Sequence, residues 1–221
     1  MKGYRWVMAS AREPVQSRAH KTRAALLTAA ERDFDERGYA QTTTKSIAER
    51  AGVAAGSFYQ YFKDKDAVLR ELASARMSAL RGRLQTIGLP TIDASRSAEE
   101  IERGARRALR ELVDEVIAYH RQEAGLHAVL SERRSADPEL DAMTSASEQT
   151  FVAGIEAALA LLGFSGDRKA TAFVIFGLIE GSVHSHVLGP RVVSDKRLIE
   201  ALGNAVIAIV RNGLALDGRQ A

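Results

Sequence analysis

Apolar residues recur at intervals of three and four along most of the chain, and strand-type alternation is nearly absent. Leu26, Ala30 and Phe34, with Leu27 beside them, make one face of a first helix over about 18–37, with Gly38 as its stop. Thr43 is placed to cap a second helix, 44–51, which buries Ile47, Ala48 and Ala51. Gly52 ends it, and the spacing predicts a third helix over 54–62. Asp64 caps a fourth that carries Val68, Leu69 and Leu72. Residues 86–96 are rich in Gly, Pro, Asp and Ser and read as a loop. Ser97 and Glu100 then form a capping box for a long helix with Ile101, Ala105, Leu109, Leu112, Val116 and His120 at helical spacing. Further helices are predicted over 123–133, from Pro138 behind Asp137 to Leu162, over 167–188, and from Ser194 to about Leu216. The pattern therefore predicts an all-α protein of about nine helices, without an internal repeat.

Composition narrows the classes. Of 221 residues 46% are hydrophobic, enough for a core and too many for wholesale disorder. The absence of cysteine excludes a disulfide framework, a thiolate metal site and a thiol nucleophile. No apolar run is expected to reach the roughly 18 residues that span a bilayer. The first sixteen residues do not look like a signal peptide, so a soluble cytoplasmic protein is the expectation. Residues 1–17 read as a mobile arm, and Met8 is an alternative start to Met1. Net charge is only +3, but residues 1–65 hold twelve Lys and Arg against seven Asp and Glu. That leaves a basic head on a slightly acidic body, the asymmetry expected of a phosphate footprint. No Gly-rich phosphate loop, G-x-S-x-G elbow or H-E-x-x-H pair occurs, so no catalytic residue, cofactor or metal is expected.

Residues 42–65 carry the sharpest signal. Two short helices meet at Ala51-Gly52-Val53, where Gly52 supplies the positive φ of a tight helix-to-helix turn and Val53 plugs the angle. Helices this short must lean on the first helix, through Ile47, Ala48, Val53, Phe58 and Phe62. Ala55, Gly56, Ser57, Tyr59, Gln60 and Tyr61 are left outward: little bulk first, then hydroxyl and amide groups. Such a helix end suits the major groove of double-stranded DNA.

The run Thr42-Thr43-Thr44-Lys45-Ser46-Ile47-Ala48-Glu49-Arg50-Ala51-Gly52-Val53, followed by Gly56, Tyr59, Tyr61-Phe62 and Lys65, resembles the TetR (tetracycline-repressor-like) family of transcriptional regulators. The likeness covers residues 20–70, with Phe34 and Gly38-Tyr39 upstream, and no motif extends it past residue 75. It implies a helix-turn-helix DNA-binding domain over 18–65 and a ligand-binding and dimerisation domain over 66–221. It further implies that Thr43 and Thr44 open the second helix at a phosphate, and that Lys45 reaches a base edge or phosphate. Ala55, Gly56, Ser57 and Gln60 would face the groove, Tyr59 and Tyr61 would clamp the backbone, and Lys65 would pair with a phosphate. Ala54 and Ala55 depart from the pattern, where Ser and a longer polar residue are usual, which thins base reading and throws weight onto DNA shape.

The implied mechanism is a homodimeric repressor on a palindromic operator, released by a small-molecule effector, with no membrane association. Two other classes fit the same head: a nucleoid-associated DNA binder, and an enzyme or carrier with a vestigial head. Polar and aromatic residues inside apolar stripes are the pocket candidates: Tyr119, His120, His127, Phe173, Phe176, Glu180 and His184. His184 and His186 point to different helix faces and make no metal pair. The resemblance implies a dimer interface on the last two helices through Gly177, Gly181, Leu198, Leu202, Val206 and Ile209; a buried intrachain helix pair is the alternative reading of that pattern.

Overall fold

Short-range rules set most of the helix ends. The computed structural model describes residues 15–87, 97–122 and 124–214. Among them run nine helices: α1 Val15–Gln41, α2 Thr44–Arg50, α3 Ala55–Phe58, α4 Lys65–Thr86, α5 Ala98–Arg121, α6 Ala124–Arg134, α7 Pro138–Leu161, α8 Arg168–Leu188 and α9 Asp195–Gly213. Thr43, Ser97, Asp137 and Ser194 each accept a backbone N–H at a helix start, as their spacing predicts, and Asp167, expected inside its helix, does so for α8. Asp64 does the same for α4, through the N–H of Ala67. Residues 15–17 of the arm expected over 1–17 are instead the first turn of α1; the rest of that arm, the choice between Met1 and Met8, the loop over 88–96 and the helix end near Leu216 lie outside the described residues.

The chain divides between Leu69 and Arg70 into two compact units. In the first, Leu26, Phe34, Ile47, Ala48 and Phe58 are completely buried, so α1 supplies the surface against which α2 and α3 fold. Gly38 breaks the α1 spiral at φ 73° and lets the chain turn. α3 is shorter than its sequence spacing predicts: regular helix stops at Phe58, and Gln60, Tyr61 and Phe62 continue as hydrogen-bonded turns. Ala54 offers no capping side chain, so nothing but packing holds so short a helix.

The second unit is built on α5, α7, α8 and α9. Val113, Val116 and Ile117 meet Leu159, Phe164, Ala172, Ile175, Ile179, Val183, Ile199, Leu202 and Val206 in one core. Phe164 and Leu214 form an isolated bridge, and Phe164 occupies the space that a Cβ on Gly213 would need. One helix corrects the expectation about membrane-length segments: Arg168–Leu188 is long and apolar enough to cross a bilayer by length and composition. Glu180 interrupts the apolar run, yet the mean hydropathy of the helix stays high enough for a spanning length. In the fold, Ala172, Ile175, Ile179 and Val183 of this helix belong to the core.

Candidate functional site

The turn between α2 and α3 is fixed by backbone bonds before any side chain acts. Val53 N–H donates to Ala48 O at 3.0 Å and Gly52 N–H to Glu49 O at 3.1 Å. This 6→1 and 5→2 pair closes α2 with Gly52 at φ 72°. Thr43 and Ser46 cap the other end reciprocally, so the Thr43 hydroxyl is engaged in the cap. Thr44 and Tyr59, fifteen residues apart, meet with their hydroxyls 2.9 Å from one another. Tyr59 is 61% exposed, whereas its neighbour Phe58 is buried and anchors it edge-on. Ala55, Gly56 and Gln60 are exposed beside it, and Ser57 and Tyr61 are half-buried. Lys45 is exposed, 3.8 Å from an equally exposed Glu49, a pair of little energetic weight.

Lys65, for which the sequence implied a phosphate contact, is engaged within the chain itself. Its ammonium donates to Tyr39 O at 2.8 Å and Thr42 O at 2.9 Å, and lies 3.8 Å from the centre of the Tyr39 ring. The Tyr39 phenol in turn donates to Asp66. Two carbonyls and an aromatic face hold this charge, so Lys65 fastens the start of α4 to the end of α1. A contact 26 residues away leaves no trace in local spacing.

Sequence reasoning missed an ion cluster. Asp33 is fully buried on the apolar face of α1, and Arg50 Nε sits 2.6 Å from it. The same guanidinium makes a two-point contact with Glu36, whose hydrogen bond holds the Glu36 carboxyl below its ordinary pKa. The cluster ties α2 to α1. A signal existed: Asp33 falls seven residues after Leu26 and three after Ala30, inside the hydrophobic stripe.

In the second unit, five of the seven pocket candidates converge. His120, His127 and His184 stand ring against ring, with centroids 4.4, 5.1 and 6.1 Å apart. Tyr119 flanks them edge-on. His120 Nδ1 lies 2.8 Å from Val116 O, and its Nε2 lies 3.2 Å from Glu180 Oε1. Burial alone would raise Glu180, but the hydrogen bond and charge of His120 outweigh it and hold its pKa below the carboxylate norm. Burial, with His120 and His184 adding, pushes His127 down to about 3, and its Nε2 has no hydrogen-bond partner.

Phe173 and Phe176 do not join them. Phe173 is 67% exposed, and Phe176 stacks on Phe151. They share a helix face with His184, but Phe173 lies about 16 Å from it along the axis, where different elements pack. His186 turns away to Asp195, which also binds Arg121 and Arg191. The Arg121 and His186 contacts hold the Asp195 carboxyl far below its ordinary range.

His127 makes the stability of this unit depend on pH. An unfolded imidazole titrates near 6.5, whereas the folded one resists protonation to about 3. Between those values the unfolded chain takes up a proton that the folded chain refuses, so stability falls as pH falls. The slope is at most about 1.4 kcal/mol per pH unit. The urea midpoint of the second unit is expected to drop between pH 7 and pH 5, and His127→Leu to flatten that dependence. An equal slope in the variant would assign the effect to other groups.

The dimer-interface residues separate into two kinds. Leu202 and Val206 are buried in the chain's own core, against Val113, Val116 and Ile175, and Leu198 and Ile209 pack partly on it. Leu202 and Val206 belong to the intrachain alternative, because that stripe of α9 faces α5 and α8, whereas Leu198 and Ile209 keep part of their surface exposed. Gly177 and Gly181 point outward, and a Cβ on either would meet nothing within 4 Å. Phe173 and Val174 extend that outer stripe of α8, and Ala201, Asn204 and Ala208 lie exposed on α9.

Known proteins place this architecture. The family model "Bacterial regulatory proteins, tetR family" matches residues 26–72, and "Tetracyclin repressor-like, C-terminal domain" matches residues 106–208. The chain belongs to the tetR family. The second match reaches the unit in which no motif is legible. HTH-type transcriptional regulator TtgR of Pseudomonas putida is 46% identical to this tetR-family chain over 54 residues, 24% of the chain and 26% of TtgR. HTH-type transcriptional repressor KstR2 of Rhodococcus jostii is 30% identical over 111 residues, 50% of the chain and 53% of KstR2. The chain thus spans a quarter to a half of these relatives. Two solved structures share its fold: a transcriptional regulator from Rhodococcus sp. Rha1, with TM-score 0.67, 20% identity, and 89% and 98% of the two chains covered; and the fatty acid degradation regulator FadR from Bacillus halodurans, with TM-score 0.66, 20% identity, and 90% and 97% covered.

Proposed function

We propose that this tetR-family chain is a ligand-responsive transcriptional repressor that binds a palindromic operator as a homodimer and is released by a small molecule. The observation that carries the reading is the meeting of the Thr44 and Tyr59 hydroxyls at an exposed edge, next to the unencumbered Ala55 and Gly56. Hydrogen-bonded to one another, the two hydroxyls leave one donor for a phosphate and both once their mutual bond opens, while the small residues let the α3 end approach the groove. Thr43, Lys45, Ser57, Gln60 and Tyr61 surround that edge and complete the contact surface. With alanine at 54 and 55, sequence preference rests on Lys45, Ser57, Gln60 and the deformability of the duplex. Lys65 acts from behind, as the brace of the turn. The names of TtgR, a regulator, and KstR2, a repressor, agree with this role. A cytoplasmic location follows from such a function.

One recognition helix reads too few base pairs, so the reading needs two copies. The outer stripe Phe173, Val174, Gly177 and Gly181 supplies the face for a second copy, together with Ala201, Asn204 and Ala208. Only 28% of the most apolar window of α8 is buried within one chain, which leaves apolar surface for a partner helix. Ligand release then works by altering the separation of the two recognition helices, whose half-sites stand about 34–36 Å apart on DNA. Ligand and operator must disfavour one another reciprocally.

Selection of duplexes from a random pool tests the reading. Enrichment of an inverted repeat is expected. Tyr59→Phe should then weaken binding to the selected duplex about three- to tenfold at fixed salt, without changing the melting temperature. A pool that returns no inverted repeat would overturn the proposal.

A further inference from the structure

The histidine cluster is packed ring on ring, and open space lies elsewhere in the second unit. Between α4 and α7 is a half-open cavity of about 240 Å³. Met77 and Arg81 line it from α4, and Met143, Ala146, Ser147 and Thr150 from α7. Two polar atoms of that lining are sealed from solvent and make no hydrogen bond: Arg81 Nε and Ser147 Oγ. Ser147 is 6% exposed.

Ser147 is an exception on its own helix. Thr144 and Thr150 of the same helix return their hydroxyls to carbonyls four residues back, at 2.8 and 2.9 Å, whereas Ser147 does not. Arg83, Arg106, Arg121 and Arg134 each meet a carboxylate. Glu148, next to Ser147, is taken by Arg134. A sealed guanidinium Nε–H and a buried hydroxyl without partners cost the folded chain free energy, which an acceptor arriving from solution would recover.

We propose that this cavity binds a small monocarboxylate with a short apolar chain. The carboxylate accepts from the Arg81 guanidinium and, once the Ser147 side chain turns toward the cavity, from its hydroxyl, and the chain lies on the Met77 and Met143 thioethers and the Ala146 methyl. A carboxylate matches the guanidinium fork better than a neutral oxygen does, because both of its oxygens accept. Flexible thioethers adapt to an unbranched chain. The volume equals about eight water molecules at roughly 30 Å³ each, which sets the ligand at about eight non-hydrogen atoms, smaller than a drug-sized molecule. Hexanoate has that size. The assignment rests on the reading of the chain as ligand-responsive and names the class of its ligand.

Calorimetric titration of the full chain with sodium hexanoate tests it, with hexan-1-ol and inorganic phosphate as controls. Hexanoate should bind, and both controls should bind at least about tenfold more weakly. Arg81→Gln should cost about tenfold or more, Ser147→Ala less, and Arg81→Lys, which keeps the charge but loses the fork, should fall between wild type and Arg81→Gln. Absence of hexanoate binding overturns the proposal, as does equal binding by wild type and Arg81→Gln, or hexan-1-ol binding as well as hexanoate. If Arg81→Gln does not fold, Arg81→Lys and Ser147→Ala carry the comparison. Duplex binding is measured separately without hexanoate. Retained duplex binding with no hexanoate binding removes the ligand assignment alone, whereas hexanoate binding without duplex binding removes the regulator reading.

Discussion

A Gly177→Arg, Gly181→Arg double variant is expected to sediment as a monomer and to lose at least about three orders of magnitude in affinity for the selected palindrome. The two positions are suited to the test because a Cβ at either meets nothing within 4 Å in the chain itself. New side chains there leave the core of Val113, Ile175, Ile179 and Val206 untouched. In a two-fold pair the same face meets itself, so each arginine would oppose its own copy in a desolvated contact. A monomer keeps one recognition element and falls from the specific range, about 10⁻⁸–10⁻¹¹ M, toward the non-specific range of about 10⁻⁴–10⁻⁶ M. Circular dichroism should be unchanged. A variant that remains dimeric and binds normally would move the interface off the outer stripe of α8.

The second large effect is expected from Phe34→Ala. Phe34 is completely buried, stacked parallel to Tyr39, in the unit that ends at Leu69. Truncating a buried Phe costs about 3–5 kcal/mol once the lost transfer energy and the cavity are both counted. Stability of roughly 0.05–0.15 kcal/mol per residue gives a unit of this size about the same total, so the substitution removes most of it. Hydrogen exchange should show lost protection over residues 15–69 while residues 124–214 keep theirs. DNA binding should vanish with it, and hexanoate binding should survive. Uniform loss of protection in both units would mean that the chain unfolds as one.

The contrast between these two predictions shows how differently the two units were legible. In the first, the Gly52 turn, the Thr43 cap and the burial of Phe34, Ile47, Phe58 and Phe62 follow from spacing alone. Short helices allow few alternative packings, so position within the pattern nearly fixes role. Asp33 was legible in principle, because a carboxylate inside an apolar stripe demands a partner, but Arg50 could not be chosen from sequence among the many basic residues. In the second unit, periodicity located α5, α8 and α9, yet left open whether Leu202 and Val206 face their own chain or a second copy. An apolar stripe says that a face is buried, not whether its own chain or another copy buries it.

The helix-turn-helix is what the sequence determined by itself. Caps, the positive φ at Gly52 and the 6→1 closure are made by groups within about five residues of one another, so the order of residues already contains the geometry. Tertiary structure decided the rest. It set the Lys65 ammonium against carbonyls 23 and 26 residues upstream, and it gathered His120, His127 and His184 from three helices into one cluster. It also left Arg81 and Ser147 unanswered beside a cavity. Those outcomes depend on the height and rotation at which helices pack, quantities that no periodicity along a single helix encodes.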